Sequence, residues 1–360
     1  MQTETTDPAT LLDLLDRRLV CALQIDGRAE PGRIAAALGV SVRTVTRRLA
    51  RLRETGVLRV VLLAGAEDEE VGALLLRVRV LRGKVAAVAD ALAARADVPF
   101  VDLMLGGEEV SAVVLTDLAG RDRLLYRQLP GTEAVTETTV HAVLHLFADA
   151  GQWQGGLFTA DEVAALSPAA PVPDPTAAPA GSAAGPTPGP MPALAAVPAA
   201  VRAPAPDPLD RLLLAELADD ARRSAASLAA ALGTPESTVR RRLHRLAAAG
   251  LLRTHATVDP RVLGMAVDAN LWLTVPPAHL AEAGRVLAAH PQVHGVLATS
   301  GPANLMAAVF CPDYEGLYRF TTEVLGPLGV DRVETAIVGR AVKRAGVRLT
   351  APGAVRRPGG

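Results

Sequence analysis

One stretch of this chain is written twice. Leu15–Arg59 (LDRRLVCALQIDGRAEPGRIAAALGVSVRTVTRRLARLRETGVLR) aligns without a gap to Leu209–Arg253 (LDRLLLAELADDARRSAASLAAALGTPESTVRRRLHRLAAAGLLR), and about half of the paired positions are identical. A repeat of that kind is incompatible with one large core and requires tandem units. A length of 360 residues demands the same, being too long for a single core of ordinary size. Between the copies, from about Ser167 to Pro206, the sequence is nearly all Ala, Pro and Gly. Such a segment cannot bury a core, so it reads as a semi-extended tether.

Each copy continues beyond its repeated head with one rhythm. In the first, the apolar run Ala73–Leu81 precedes a helical stretch Lys84–Ala96, runs Val98–Leu105 and Val110–Thr116, a second helical stretch Leu118–Leu129 and a last run Val135–Leu146. In the second, the pieces are Ala266–Val275, His279–His290, Val293–Thr299, Asn304–Phe310, Tyr314–Leu325 and Val333–Val342. The order β-α-β-β-α-β predicts a four-stranded antiparallel sheet with two helices on one face, the ferredoxin-like arrangement, and an α+β class for the whole. The expected division is a head at 11–60, a module at 61–150, a short helix and linker at 151–206, a head at 207–258, a module at 259–346 and a disordered tail at 347–360. The free face of each sheet must be covered by the other copy or by another chain.

Three short helical patterns, Leu11–Gln24, Pro31–Leu38 and Val42–Glu54, make up the first head, with Gly39 in the turn before the third and Gly233 as its counterpart. Helices so short must pack together, and the glycine turn marks a helix-turn-helix. Ser41 is the expected cap of the third helix, and Thr234 followed by Pro235 gives the second copy the same logic, displaced by one position. On a helical wheel Val45, Leu49 and Leu52 share one face, as do Val239, Leu243 and Leu246. Opposite lie Arg43, Arg47 and Arg51, flanked by Arg48 and Arg53, so Ser41–Glu54 holds five arginines against one acid. The second copy presents Ser237, Arg241, His244 and Arg245, flanked by Arg240 and Arg242. A cationic face of this width suits the major groove of duplex DNA. The candidate DNA contacts are therefore Arg43, Thr44, Arg47, Arg48, Arg51, Ser237, Thr238, Arg241, Arg242 and Arg245, with Arg48 and Arg242 placed equally well to pair with Asp16 and Asp210. Neither third helix contains an aromatic residue, which argues against a stacking platform for single strands.

These runs, with VLGMAVDANLWLTV and VETAIVGRAVK in the second copy, resemble the Lrp/AsnC family of bacterial transcription regulators. The resemblance implies a winged head on duplex DNA, and a module (RAM type) that dimerises through its sheet and senses amino acids. It further implies a chain acting as a covalent pseudo-dimer, with homo-oligomers of such chains. About 40 tether residues span roughly 35 Å as a coil and do not prevent two heads from addressing half-sites a turn apart. The copies differ at Arg43/Ser237, Thr46/Arg240 and Ala50/His244, so an asymmetric operator is expected to be tolerated. The family's effector loop reads Gly-x-x-Asp. Here Gly301-Pro302-Ala303-Asn304 lacks the carboxylate, and Gly106-Gly107-Glu108-Glu109 is shorter. Gly106, Gly301 and Asn304 are the effector-binding candidates, with a tight turn as the other reading of Gly301.

Siroheme decarboxylases share this architecture, and His294 and Asn304-Leu305 fall near their active-site positions, but the Arg and Tyr expected to grip porphyrin carboxylates are missing from Val293–Ala303. A ligand-free architectural DNA-binding protein is a third reading. No nucleophile elbow, phosphate loop or metal-ligand cluster appears, so no catalytic residue, metal or cofactor is assigned. The net charge of −1, from 37 basic and 38 acidic residues, requires any basic patch to be local. Cys21 and Cys311 lie far apart among aliphatic residues and read as free buried thiols of a reducing compartment. No run reaches the roughly 18 apolar residues of a membrane span, and the expected location is the cytoplasm. Thr159-Ala160-Asp161-Glu162 reads as a capping box opening a short helix, with Trp153 and Phe158 beside it placed to pack on the first module or to dock a partner, packing being the commoner case.

Overall fold

The computed structural model describes residues 12–62, 72–149, 153, 155–167, 206–218 and 220–349. The greater part of the expected linker, and the tail beyond 349, lie outside these residues. The first head is α1 (Leu14–Ile25), α2 (Pro31–Leu38) and α3 (Val42–Glu54), followed by strand β1 (Arg59–Leu62). The first module is β2 (Gly72–Val80), α4 (Val85–Ala93), β3 (Phe100–Met104), β4 (Glu109–Thr116), α5 (Leu118–Arg123, continued as a wide turn through Gln128) and β5 (Val135–Ala148). Helix α6 (Ala160–Leu166) opens with the expected capping box. The second head is α7 (Pro208–Leu217), α8 (Ala225–Leu232) and α9 (Glu236–Ala248), followed by β6 (Thr254–Thr257). The second module is β7 (Val267–Thr274), α10 (Pro277–Ala288), β8 (Val293–Thr299), β9 (Leu305–Cys311), α11 (Tyr314–Arg319), β10 (Arg332–Arg344) and β11 (Val347–Arg348). Val347 and Arg348, expected to belong to the tail, instead turn back to pair with Arg344 and Lys343.

Within each module the strands run β5-β2-β4-β3 and β10-β7-β9-β8. The last strand of each is long because it serves two sheets. Val135–Ala142 of β5 pairs with β2, and Val143–Ala148 passes on to β8 of the other module. Arg332–Ile337 of β10 pairs with β7, and Val338–Lys343 passes on to β3. Two such handovers close eight strands into one barrel. Helices α4 and α5 cover one sheet outside, over Leu76, Val78 and Val110; α10 and α11 cover the other, over Leu271, Val296 and Val309. The inward faces meet in a shared core of Ala73, Leu75, Val143, Trp272, Leu297, Met306 and Ala308. The free face of each sheet is thus covered by the other copy of the same chain.

The heads are joined as well. Strands β1 and β6 form an antiparallel ribbon, with Arg59 opposite Thr257 and Leu62 opposite Thr254. Arg28 donates to the carbonyl of Ala221, and its repeat counterpart Arg222 donates to that of Gly27 at 2.6 Å. Gly27 permits this approach, since a Cβ there would lie 2.4 Å from Thr254 Oγ1. Trp153 is buried, but against the second module rather than the first: its ring meets Phe310 edge-on at 4.8 Å and its Nε1 donates to Pro291 O at 2.9 Å. Phe158 takes the Arg18 guanidinium of the first head on its ring at 5.1 Å, and Arg18 pairs with Glu162 of α6. The strap from Trp153 to α6 therefore ties the first head to the second module. Cys21 and Cys311 are buried free thiols, as expected.

At the β3/β10 seam, Arg344 bonds Asp102 of the first module and, at 2.6 Å, Asp268 of its own. Burial, against the pull of Arg344 and with Asp268 adding repulsion, pushes the Asp102 carboxyl up to about 7 from an ordinary 3.8. Between about pH 4 and pH 7 the folded chain holds a proton here that the unfolded chain has released. This carboxyl's stabilisation is therefore fully present below the unfolded value and is lost as pH rises through about 7. The melting temperature of the wild type minus that of Asp102→Asn should be larger at pH 5 than at pH 8, measured by thermal denaturation.

Candidate DNA-binding surface and effector cavity

Helix α3 begins at Ser41, whose hydroxyl accepts from Thr44 N, and its apolar stripe Val45, Leu49 and Leu52 is buried on α1 and α2. The cap of α9 differs from expectation. Pro235 occupies the N-cap position with extended backbone and no side-chain cap, while the Thr234 hydroxyl turns back to Leu232 O. Proline's fixed φ starts the helix one residue later than the threonine could cap it. The stripe Val239, Leu243 and Leu246 is nonetheless buried as in the first head.

The outward residues fall into two sets. Asp16 of α1 is almost wholly buried and accepts from Arg48 at 3.1 Å and from Arg51. Asp210 of α7 does the same for Arg242 at 3.0 Å and for Arg245. Hydrogen bonds from Arg242 and from the backbone of Asp210 hold the Asp207 cap down at about 2. These four arginines brace the third helix against the first, although Arg51 and Arg245 keep about half of their side-chain surface in solvent. Arg43, Arg47 and Arg241 are exposed and have no ion-pair partner among the described residues. Thr44 and Thr238 lie half-buried at the helix starts, with Ser237 exposed beside Thr238. The reciprocal arginines Arg28 and Arg222, which couple the heads, were not singled out by sequence. The signal was present, since both follow an aspartate by two positions in the repeat.

A cavity of about 630 Å³ opens beside the β3–β4 loop, lined by Arg77, Arg79, Gly106, Glu108, Glu109 and Glu334 among others. Arg77 binds Glu109 at 2.8 Å and Glu334 at 2.7 Å, and lies 5.3 Å over the Trp272 ring. The bond from Arg77 holds Glu334 below the usual carboxylate range. A Cβ built on Gly106 would meet nothing within 4 Å. The matching loop of the second module is filled. Gly301 turns at φ 101°, with His141 against it, and His141 Nδ1 lies 2.8 Å from Ser300 O. Both ends of the Asn304 amide are spent on Val275, accepting from its N at 2.9 Å and donating to its O at 2.7 Å. His294 is buried on the barrel side, stacked on Phe310 at 3.8 Å and 3.5 Å from Asp268.

Comparison with known proteins agrees with this layout. The AsnC-type helix-turn-helix domain matches residues 12–53 and again 207–247, and the Lrp/AsnC ligand binding domain matches 269–347. An uncharacterised HTH-type transcriptional regulator of Pyrococcus horikoshii is 30% identical over 142 residues, which is 39% of this chain and 89% of that protein. The chain belongs to the Lrp/AsnC family. Another relative, the HTH-type transcriptional regulator Ptr1 of Methanocaldococcus jannaschii, is 30% identical over 139 residues, 38% of this chain and 94% of its own length. Lrp/AsnC chains are DNA-binding transcription regulators, and this is one. The crystal structure of the siroheme decarboxylase NirDL shares the fold over 91% of this chain and 92% of that one, with a TM-score of 0.54 at 14% identity. No helix among the described residues is long and apolar enough to cross a membrane.

Asp16 offers a direct test of the bracing role. Asp16→Ala removes the buried carboxylate shared by Arg48 and Arg51, leaving Arg48 only its exposed partner Asp13, and should destabilise the first head by about 1–3 kcal/mol, read by chemical denaturation, with Asp210→Ala doing the same in the second, where Arg242 keeps Asp207.

Proposed function

We propose that this Lrp/AsnC regulator reads double-stranded DNA in a sequence-specific manner with both heads of one chain, acting as a covalent pseudo-dimer of ferredoxin-like modules. The observation that carries this reading is a set of exposed arginines, Arg43, Arg47 and Arg241, without an ion-pair partner among the described residues, on third helices whose neighbouring arginines are already spent on structure. Thr44, Ser237 and Thr238, at the starts of those helices, complete the contact set, and Arg48, Arg51, Arg242 and Arg245 support it from behind. The first head presents Arg43 where the second presents Ser237, so the two half-sites differ. Binding of the purified chain to the DNA flanking its own gene, with competitor present, tests this. Arg47→Ala/Arg241→Ala should weaken site-selective binding and flatten the slope of log affinity against log salt by about 0.9 for each phosphate no longer neutralised, while leaving the melting temperature unchanged. Equal binding of wild type and variant at both low and moderate salt would remove the reading.

Modulation by a small molecule is supported at one loop rather than two. The open cavity at Gly106 has the volume of a ligand site, and its counterpart at Gly301 and Asn304 is occupied by His141 and by bonds to Val275. Gly106→Phe should fill the cavity without backbone strain and abolish any thermal shift that an amino-acid panel produces in the wild type. The siroheme decarboxylase reading has less support, since the cavity beside His294 measures about 60 Å³, which a tetrapyrrole does not enter.

A further inference from the structure

The two seams that close the barrel are built from equivalent strands but carry different chemistry. Strand register fixes the equivalence. Leu76 lies opposite Ala112 as Leu271 lies opposite Ala307, and Val101 and Val296 face those same alanines. Across the seams Lys343 lies opposite Val101, and Ala148 opposite Val296. The counterpart of Asp102 is therefore Leu297, that of Arg344 is Asp149, and that of Asp268 is Ala73. At the β3/β10 seam Arg344 is clamped by Asp102 and Asp268, with His294 Nε2 3.5 Å from Asp268 Oδ1. At the β5/β8 seam Leu297 and Ala73 belong to the shared apolar core, and Asp149 turns away to Arg253 at 3.4 Å.

Three pairings of modules are open to a duplicated chain. Two first modules facing each other would put Asp149 at the position of Arg344 at both seams, so that Asp102 loses its guanidinium partner. Two second modules would set Leu297 against Arg344 at both seams, leaving the guanidinium only one of its two carboxylates. A first module with a second gives Arg344 both carboxylates at one seam and gives Leu297 apolar neighbours at the other. A buried ion left without its partner is far costlier than a well-packed apolar contact, so such clusters discriminate between partners even where they add little stability.

We propose that the Asp102–Arg344–Asp268 cluster is a partner selector, which makes a first module accept the β10 edge of a second module and refuse another first module. Its ligand is the second copy of the fold within this chain, or within an exchanged neighbour. The device is independent of what the heads bind.

Charge exchange in the full-length chain tests this at pH 8. Asp102→Arg and Arg344→Asp should each lower the melting temperature and broaden the transition. The double variant Asp102→Arg/Arg344→Asp should recover most of the loss within one chain. The decisive arm mixes the two single variants in denaturant and refolds them together. Reciprocal exchange of modules then brings the two substituted positions, one from each chain, face to face in one barrel as an ion pair of reversed sense, and restores Asp102 to Arg344 at the β3/β10 seam of the other barrel. The mixture should therefore melt above either variant refolded alone. A mixture that melts as the sum of its components, or single variants that melt as wild type, overturns the proposal. The milder set Asp102→Asn, Arg344→Gln and Asp102→Asn/Arg344→Gln adds no new charge and answers the same question if the exchanged variants fail to fold. There the double variant should melt above the Arg344→Gln single, and additive losses would overturn the selector.

Discussion

Everything in this molecule depends on two strands that change partners half-way along. A ferredoxin-like sheet buries one face under its helices and leaves the other bare, and its second-strand edge presents unpaired backbone. Strands β5 and β10 answer both problems at once. Each finishes its own sheet and then runs on to cap the neighbour's open edge, so the two sheets curl into a barrel whose inward faces meet over Leu75, Trp272, Leu297 and Met306. Since both handovers occur within one chain, closing the barrel costs no association entropy beyond that of the tether. The ribbon of β1 and β6 and the crossed bonds of Arg28 and Arg222 repeat the same logic at the heads.

Much of this could be read from sequence. The duplication, the three-helix heads and the buried stripes follow from periodicity, and periodicity reports faithfully where a single helix buries one face. The element order of the modules was legible for the same reason. What escaped were relations between distant segments. The length of β5 and β10 beyond their own sheets carries no local signature, because Val143–Ala148 alternates the same way whichever strand it meets. Trp153 looked like a residue of the first module because it follows it in sequence, yet its ring lies on Phe310 of the second. The surface arginines divide into bracing and free sets only when the α1 and α7 carboxylates are placed in space, and Arg51 and Arg245 changed set for that reason.

Duplication has also let the copies drift apart. Arg18, which anchors the strap through Phe158 and Glu162, is replaced in the second head by Leu212, which stands exposed. The β3–β4 loop borders a cavity, and the β8–β9 loop is packed by His141 and Asn304. One seam is ionic and the other apolar. In a homodimer each such change would appear twice by symmetry. In a fused pair each copy is free to change alone, and the loops and seams of the two modules differ accordingly.

The β1/β6 ribbon has a consequence for evolution. The ribbon and the reciprocal bonds of Arg28 and Arg222 join the two heads directly, through contacts within the folded units. A change in the number of residues between the copies leaves those contacts as they are. The two heads are held to each other by their own strands and arginines, and that relation can be inherited while the length of sequence joining them varies.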